Sequence, residues 1–101
     1  MMQQGDVYWG KAVNKRRPVL VVSRSTAIPI LNRLVVAPIT TTIRDIPQEI
    51  AVPESVGLRV DCVASMDNLF AIPKAMLEGR VGAIPDARQQ ICRALEALAD
   101  C

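Results

Sequence analysis

The sequence predicts a mainly β domain in which five to seven short antiparallel strands form a strongly bent sheet or half-open barrel, with one C-terminal helix lying on it. Two observations predict this fold. Seven prolines and five glycines divide the 101 residues into short apolar segments rich in Val, Ile and Leu, which is typical of strands. Only residues 84–100 change to the three- and four-residue apolar spacing of an amphipathic helix.

The first two strands are predicted on either side of a basic loop. Residues 5–9 alternate between apolar and polar side chains, which favours a strand, and residues 10–16 follow as the loop. Pro18 then opens a second strand over residues 19–23, since proline is tolerated at the first residue of a strand. The consecutive branched apolar side chains of this strand indicate burial on both faces.

The middle of the chain predicts further strands separated by turns. Residues 25–32 form a turn or a short helix broken at Pro29. Apolar runs bounded by turn residues predict three strands, at residues 34–39, 48–52 and 59–65. Four shorter segments connect or extend them: a turn at 53–57, a sheet extension at 68–72, a helical turn at 73–76, and residues 78–81, which run into Gly82.

The C-terminal helix is predicted from an apolar stripe that packs on the sheet. Its members are Ala87, Ile91, Ala94, Leu95 and Leu98. Pro85 and Asp86 are expected in the first turn, because proline has a suitable fixed φ there and a carboxylate faces the positive end of the helix dipole.

Composition excludes several classes of protein. The 101 residues suit a single domain, 1–101, and no apolar run approaches the roughly 20 residues that span a bilayer. The N-terminal segment has neither the basic nor the apolar region of a signal peptide, so a cytoplasmic location is expected. Three scattered cysteines and no histidine argue against a disulfide framework, a metal site and histidine-based acid–base catalysis, and no cofactor is expected.

Charge is uneven along the chain, although the net charge is only +2. Residues 1–50 carry seven Lys and Arg against three Asp and Glu, a net charge of +4, whereas residues 51–101 carry five against seven, a net charge of −2. The basic half suits an anionic partner, and ordinary surface charge is the alternative explanation.

Arg17 and Thr40 stand at two strand ends that an antiparallel sheet brings together. Arg17 lies just before the second strand and Thr40 just after the third, so in neighbouring strands their side chains face one point. A guanidinium offers a bidentate fork that matches phosphate, and a threonine hydroxyl offers one further donor. Since Lys11, Lys15 and Arg16 border the same position, the sequence predicts a phosphate site there.

Four motifs occur in the order found in a known family: GDVYWG, RRPVLVVSR, VVAPITTT and MDNLFAIPKAML. With the C-terminal helix, they resemble the MazF/PemK toxins of bacterial toxin–antitoxin systems over nearly the whole chain. The resemblance implies an SH3-like barrel, a homodimer, and a metal-independent endoribonuclease that cuts single-stranded RNA at short sequences. It also implies that Arg17 and Thr40 are the catalytic pair.

The same resemblance implies partners and further binding residues. An antitoxin with an acidic, partly apolar, disordered tail is expected to inhibit the nuclease. The expected RNA-binding residues are Lys11, Lys15, Arg16, Arg24 and Thr41. The loop at residues 10–16 lacks the acidic and glycine-rich insert of longer relatives, so the cleavage sequence and the class of RNA do not follow from the family.

RNA cleavage without histidine or a metal site has to proceed by in-line attack of the neighbouring 2′-hydroxyl, leaving a 2′,3′-cyclic phosphate and a 5′-hydroxyl. Arg17 then clamps the phosphate oxygens, since a guanidinium yields a proton reluctantly. The acceptor of the 2′ proton is left open among Asp6, Asp67 and Tyr8, each of which is also explained as a turn or strand-end residue.

Two other functions are weighed against the nuclease. A CcdB-like gyrase inhibitor shares the fold, but its relatives end in an aromatic-containing tripeptide and this sequence ends Ala99-Asp100-Cys101. A non-catalytic RNA-binding barrel is the second alternative, but single-strand binders usually expose aromatic side chains for base stacking, and only Tyr8, Trp9 and Phe70 exist here. The sequence favours the nuclease over both.

Overall fold

The computed structural model describes residues 1–12 and 15–99, and this part of the chain contains seven strands. They are β1 (Asp6–Ala12), β2 (Lys15–Val21), β3 (Arg33–Thr40), β4 (Glu49–Val52), β5 (Cys62–Ser65), β6 (Phe70–Pro73) and β7 (Leu77–Ala83). Helix α1 covers Ala87–Leu98, and three single-turn 3₁₀ helices cover Glu54–Val56, Met66–Asn68 and Lys74–Met76. Within the described ranges, no helix is long and apolar enough to cross a membrane.

The strands form one curled antiparallel sheet in the order β4-β5-β3-β2-β1-β7. β3 is the central strand. β2 lies along one of its edges, whereas β6 pairs with the first half of the other edge and β5 pairs with the last two residues, Ile39 and Thr40. The predicted bent antiparallel sheet with a C-terminal helix is confirmed.

Two aliphatic clusters lie on the two faces of the sheet, because side chains alternate along each strand. On β2, Leu20 packs in the larger cluster, whereas Val19 and Val21 pack in the smaller one. The larger cluster also contains Ile91 and Ala94 of α1. Full burial of a Leu, Ile or Val side chain stabilises the fold by about 1.5–3 kcal/mol. The two-sided burial predicted for the second strand is confirmed.

The loop predicted at residues 10–16 is wrong at both of its ends, because β1 covers residues 10–12 and β2 covers residues 15–16, and the two strands pair in the antiparallel ladder of the β1–β2 hairpin. In this ladder Lys11 lies opposite Arg16. The side chains at the start of β2 are exposed on both faces, so no alternation of apolar and polar residues marked a strand there. Residues 13 and 14, at the middle of the predicted loop, lie outside the described residues.

Pro18 is the fourth residue of β2 and does not open the strand. It pairs with Trp9 of β1, and the ladder between β2 and β3 begins only at Val19. The missing N–H of proline therefore removes no hydrogen bond from the β3 side. Because the strand continues through the proline, Arg17 is an ordered strand residue.

The other predicted elements differ from the structure mainly at their ends. β5 begins at Cys62, three residues later than predicted. Pro85 and Asp86 precede α1 and do not form its first turn, and Asp86 has a left-handed φ of 52°. Leu95 and Leu98 are 36% and 43% exposed, so only part of the predicted helical stripe packs on the sheet.

Candidate active site

Arg17 is the third residue of β2, which begins at Lys15, and Thr40 is the last residue of β3. The prediction that Arg17 lies just before the second strand is therefore wrong. The register sets Val19 opposite Pro38, and continuing it by two residues sets Arg17 opposite Thr40. Arg17 is exposed, whereas Thr40 is half-buried. Both side chains line the same two pockets, so the structure brings this predicted pair into one groove.

The first pocket, named the apolar pocket, has a volume of about 500 Å³. Its apolar lining comes from Trp9, Pro18, Ile39, Leu58, Val60 and Cys62, and its polar lining from Arg17, Arg59, Thr40, Thr41 and Thr42. An aromatic ring beside cationic and hydroxyl groups suits a nucleobase next to its phosphate. Arg59 and Val60 were predicted within a strand, but β5 begins only at Cys62 and these two residues line the pocket.

The second pocket, named the polar pocket, has a volume of about 380 Å³ and shares Arg17, Thr40 and Thr42 with the first. Its other lining residues are Pro38, Arg44, Ser65 and Asn68. The predicted catalytic pair therefore stands between two pockets of different chemistry.

The Thr40 hydroxyl is oriented by its own chain. Its Oγ1 accepts a hydrogen bond of 3.1 Å from the backbone N–H of Thr42. The backbone of Thr40 is fixed from the other side by its pairing with Val63 of β5. Since a hydroxyl has one proton and two lone pairs, Thr40 keeps its proton to donate to a ligand in the groove.

Three of the predicted RNA-binding cations lie on the same β1–β2 hairpin as Arg17. Lys11, Lys15 and Arg16 are all exposed. The Arg16 guanidinium carbon lies 5.0 Å from the centroid of the Trp9 ring, in the range of a cation–π contact. Because Trp9 lines the apolar pocket, this contact places a positive charge at the pocket wall.

The two remaining predicted RNA-binding residues lie in different places. Thr41 lines the apolar pocket together with Thr40. Arg24 instead lines a separate cavity with Gln4 and Arg88 of α1, beyond the opposite end of β2 from Arg17. The structure therefore groups four of the five predicted residues around the hairpin and the groove, and it does not bring Arg24 to them.

Arg44 forms an ion-pair cluster that sequence analysis did not identify. Its guanidinium lies 2.8 Å from carboxylate oxygens of both Glu49 and Asp67. The Arg44 guanidinium and the Ser65 hydroxyl hold the pKa of the Asp67 carboxyl well below its usual range. Burial opposes ionisation of Glu49, but the hydrogen bonds from Arg44 outweigh it and lower the pKa of that carboxyl. Because Asp67 is 23 residues from Arg44, no local sequence pattern marked the pair.

None of the proposed proton acceptors lines either pocket among the described residues. The buried Asp6 accepts a 2.9 Å hydrogen bond from the Gln3 backbone and lies 3.4 Å from the Arg80 guanidinium. Tyr8 packs against the smaller aliphatic cluster, and Asp67 is bound by Arg44. In the same part of the chain, no three Cys, Asp or Glu side chains are grouped to hold a metal ion.

Comparison with known proteins agrees with the fold. The model of a protein family described as the PemK-like, MazF-like toxin of type II toxin-antitoxin systems matches residues 3–99. The chain is 40% identical over 101 residues to the probable endoribonuclease MazF5 of Mycobacterium tuberculosis, a match that covers 97% of this chain and 93% of the relative. It is also 40% identical over 70 residues to endoribonuclease MazF3 of the same organism, which covers 69% and 68% of the two chains.

Solved structures show the same architecture. The Mycobacterium tuberculosis toxin MazF-mt6 matches with a TM-score of 0.80 and 33% identity over 94% of this chain and 93% of that chain. An endoribonuclease in complex with its cognate antitoxin, from a mycobacterial species, matches with a TM-score of 0.81 and 25% identity over 97% and 94%. The chain therefore belongs to the PemK-like, MazF-like toxins of type II toxin–antitoxin systems, the family that its four sequence motifs resemble.

Proposed function

We propose that this chain is a toxin that acts in the cytoplasm as an endoribonuclease, cutting single-stranded RNA at short sequences in the groove between β2 and β3. The observation that carries the proposal is that Arg17 and Thr40 both line the apolar pocket and the polar pocket. Membership of the toxin family supports it. The names of its relatives, several of which are called endoribonucleases, support the reaction class.

The reaction proceeds by attack of a 2′-hydroxyl on the adjacent phosphorus. The new bond joins the 2′ oxygen to phosphorus, the bond to the 5′ oxygen breaks, and the 2′ proton is lost while the leaving oxygen gains one. The products are a 2′,3′-cyclic phosphate and a 5′-hydroxyl. Arg17 binds the phosphate oxygens through its bidentate fork and Thr40 donates its hydroxyl proton to them, and each such donor contributes about 10²–10³ in rate.

RNA is held along the hairpin and in the apolar pocket. Lys11, Lys15 and Arg16 attract the phosphate backbone, which makes binding dependent on salt. Thr41 and the ring of Trp9 contact the nucleotide beside the scissile phosphate, since unstacked bases are bound by aromatic and guanidinium planes.

The proposal is tested by incubating the purified protein with mixed RNA in EDTA, with Arg17→Ala as the matched control. Discrete fragments with 5′-hydroxyl ends are expected from the wild-type chain alone. Absence of cleavage of any RNA by the folded wild-type chain would overturn the proposal, and binding without cleavage would favour the non-catalytic RNA-binding barrel.

The chain acts as a homodimer through an exposed apolar patch. The turn that precedes β3, β3 itself and the 3₁₀ helix at Lys74–Met76 adjoin, because Arg33 pairs with Pro73. Four large apolar side chains are exposed on these elements: Ile30 (82%), Leu31 (38%), Val35 (39%) and Met76 (44%). A domain of this size also has a limited core, which favours burying such a patch against a second copy.

The wild-type chain should sediment at micromolar concentration as a dimer of the 11.0 kDa protomer. Ile30→Asp should shift it towards monomer, because a carboxylate in an apolar interface loses its hydration without a partner. Leu98→Asp is the matched control, since Leu98 is 43% exposed on α1. A wild-type monomer, or an Ile30→Asp dimer as stable as the wild type, would contradict this interface.

The partner that inhibits the toxin is an antitoxin with an acidic, partly apolar segment that occupies the basic groove. The mycobacterial relative solved with its cognate antitoxin supports such a partner. Labelled RNA should be displaced by the acidic tail peptide of the cognate antitoxin in a competition titration, and displacement should weaken as salt screens the hairpin charges. Simultaneous binding of peptide and RNA would contradict a shared groove.

A further inference from the structure

Arg44 bridges two carboxylates with every nitrogen of its guanidinium. Its Nε donates to Glu49 at 2.8 Å, while Nη1 and Nη2 donate to the two oxygens of Asp67 at 2.9 and 2.8 Å. Nη2 also donates to the Ser65 hydroxyl at 2.9 Å. Such a fork is geometrically specific, because two parallel bonds fix the plane of the guanidinium.

The cluster also closes the connection between β3 and β4. Oε1 of Glu49 accepts hydrogen bonds from the backbone N–H groups of Arg44 at 3.0 Å and Asp45 at 3.1 Å. Asp45 has a left-handed φ of 56°, a conformation that costs a non-glycine residue energy. The side chain of Glu49 is only 3% exposed, so it is an internal anchor for residues 41–48.

This anchored connection begins directly after Thr40, the last residue of β3, which bears the reactive hydroxyl. Thr42, which donates its N–H to Thr40 Oγ1, lies two residues before Arg44. On the other side, the Ser65 hydroxyl accepts a 3.1 Å hydrogen bond from the side-chain amide of Asn68, which lines the polar pocket. Arg44 therefore connects two parts of the polar pocket. One is the loop whose Thr42 N–H orients Thr40, and the other is the wall that contains Ser65 and Asn68.

Most of the Arg44 guanidinium is already bound in this arrangement, because its five N–H groups make four hydrogen bonds to Glu49, Asp67 and Ser65. One positive charge faces two carboxylates, so the cluster of Arg44, Glu49 and Asp67 has a net charge of −1 at neutral pH. The two carboxylates also raise the pKa of Arg44, chiefly through the hydrogen bonds to Asp67. An RNA phosphate that bound both Nη atoms of Arg44 in a bidentate fork would have to displace the half-buried carboxylate of Asp67.

We propose that Arg44 is a positioning residue for RNA cleavage: the bridge from Arg44 to Glu49 and Asp67 fixes residues 41–48 and so holds the Thr40 hydroxyl towards the scissile phosphate. The inference rests on the proposed endoribonuclease function and adds a residue to it. Arg44 acts on turnover through Thr40, and it does not contribute to the electrostatic attraction of RNA.

The test compares Arg44→Met, which keeps the aliphatic stem, with Arg44→Lys and with Asp67→Asn, which keeps the side-chain shape. Arg93→Met, at an exposed arginine of α1, is the matched control. Arg44→Met should lower kcat by about 10–100-fold, the scale expected when a reacting group is misplaced by about 1 Å. KM should change little, and the slope of log affinity against log salt should stay that of the wild type. Arg44→Lys should not restore kcat, because an ammonium cannot bridge both carboxylates.

Amide hydrogen exchange gives a readout that a merely structural role would not produce. The amide hydrogen of Thr42 should exchange faster in Arg44→Met than in the wild type, while exchange rates at core positions such as Leu20 should remain at their wild-type values. If Arg44→Met does not fold, Asp67→Asn is measured alone and should show the same pattern to a smaller extent.

Several results would overturn the inference. If the slope of log affinity against log salt became shallower by about 0.7 in Arg44→Met while kcat was retained, Arg44 would be a phosphate contact. If amide hydrogen exchange became faster throughout the chain while kcat per folded molecule stayed unchanged, the Arg44 cluster would only stabilise the fold. Unchanged kcat in folded Arg44→Met and in folded Asp67→Asn would exclude a positioning role. Absence of cleavage by the wild-type chain would overturn the proposed function and this inference together, whereas the other results leave the function intact.

Discussion

Replacing Arg17 with alanine should lower the rate of RNA cleavage by at least about 10²–10³-fold, because it removes the principal donor to the phosphate oxygens on which charge develops. Arg17 is exposed near the start of β2 and lines both pockets. Its replacement should therefore leave the melting temperature nearly unchanged. The measurement is single-turnover cleavage of a labelled RNA, with circular dichroism as the check on folding.

The variant Arg17→Lys distinguishes bidentate hydrogen bonding by the guanidinium from a role of positive charge alone. Lysine keeps the charge but offers a point ammonium in place of two parallel donors, so this variant should also lose most of the activity. Lys11→Arg is the matched control, since it alters a cation on the same hairpin and keeps its charge. Near-normal cleavage by folded Arg17→Ala would remove Arg17 from the mechanism, and full activity of Arg17→Lys would reduce its role to electrostatic attraction.

Thr40→Ala should lower kcat by about 10²-fold, because the hydroxyl that donates to the phosphate is lost. Thr40→Ser should keep much of the activity, since it retains an Oγ that can accept from the Thr42 N–H and donate its own proton. Rates are to be compared at saturating RNA, so that an effect on binding is not mistaken for one on turnover.

Thr26→Ala is the matched control for Thr40→Ala. Thr26 is an exposed threonine in the turn that precedes β3, and it lines the separate cavity with Arg24. Its loss should leave kcat that of the wild type. Equal rates for wild type and Thr40→Ala would contradict the role given to the hydroxyl, and equal losses in Thr40→Ser and Thr40→Ala would indicate that the methyl group, and not the hydroxyl, is needed.

The sheet could be predicted because its central strands are buried on both faces. In β2, Leu20 enters one cluster and Val21 the other, so the apolar run was visible in the sequence. The β1–β2 hairpin was missed for the opposite reason. The parts of β1 and β2 next to residues 13 and 14 contain exposed charged residues such as Lys11 and Arg16, which pair through the backbone and carry no apolar pattern.

The candidate site was predicted in part. Arg17 and Thr40 could be found because the ends of antiparallel strands meet, an argument that needs only the order of strands. The Arg44 cluster could not be found in this way, because its partner Asp67 is distant in sequence and meets it only when the sheet curls. Arg24 was assigned to RNA binding on charge alone, and the fold turns it towards α1.

If RNA is cut by its own 2′-hydroxyl between Arg17 and Thr40, removal of that single hydroxyl from the substrate should abolish cleavage. Once a cleaved position is mapped in EDTA, two labelled oligonucleotides are compared: all-ribose RNA, and the same sequence with a 2′-deoxy nucleotide on the 5′ side of the cut. Both oligonucleotides should bind with similar affinity, and only the all-ribose one should be cut, to a 2′,3′-cyclic phosphate and a 5′-hydroxyl. Cleavage of the 2′-deoxy oligonucleotide at the same position, or products that carry a 5′-phosphate, would contradict this mechanism.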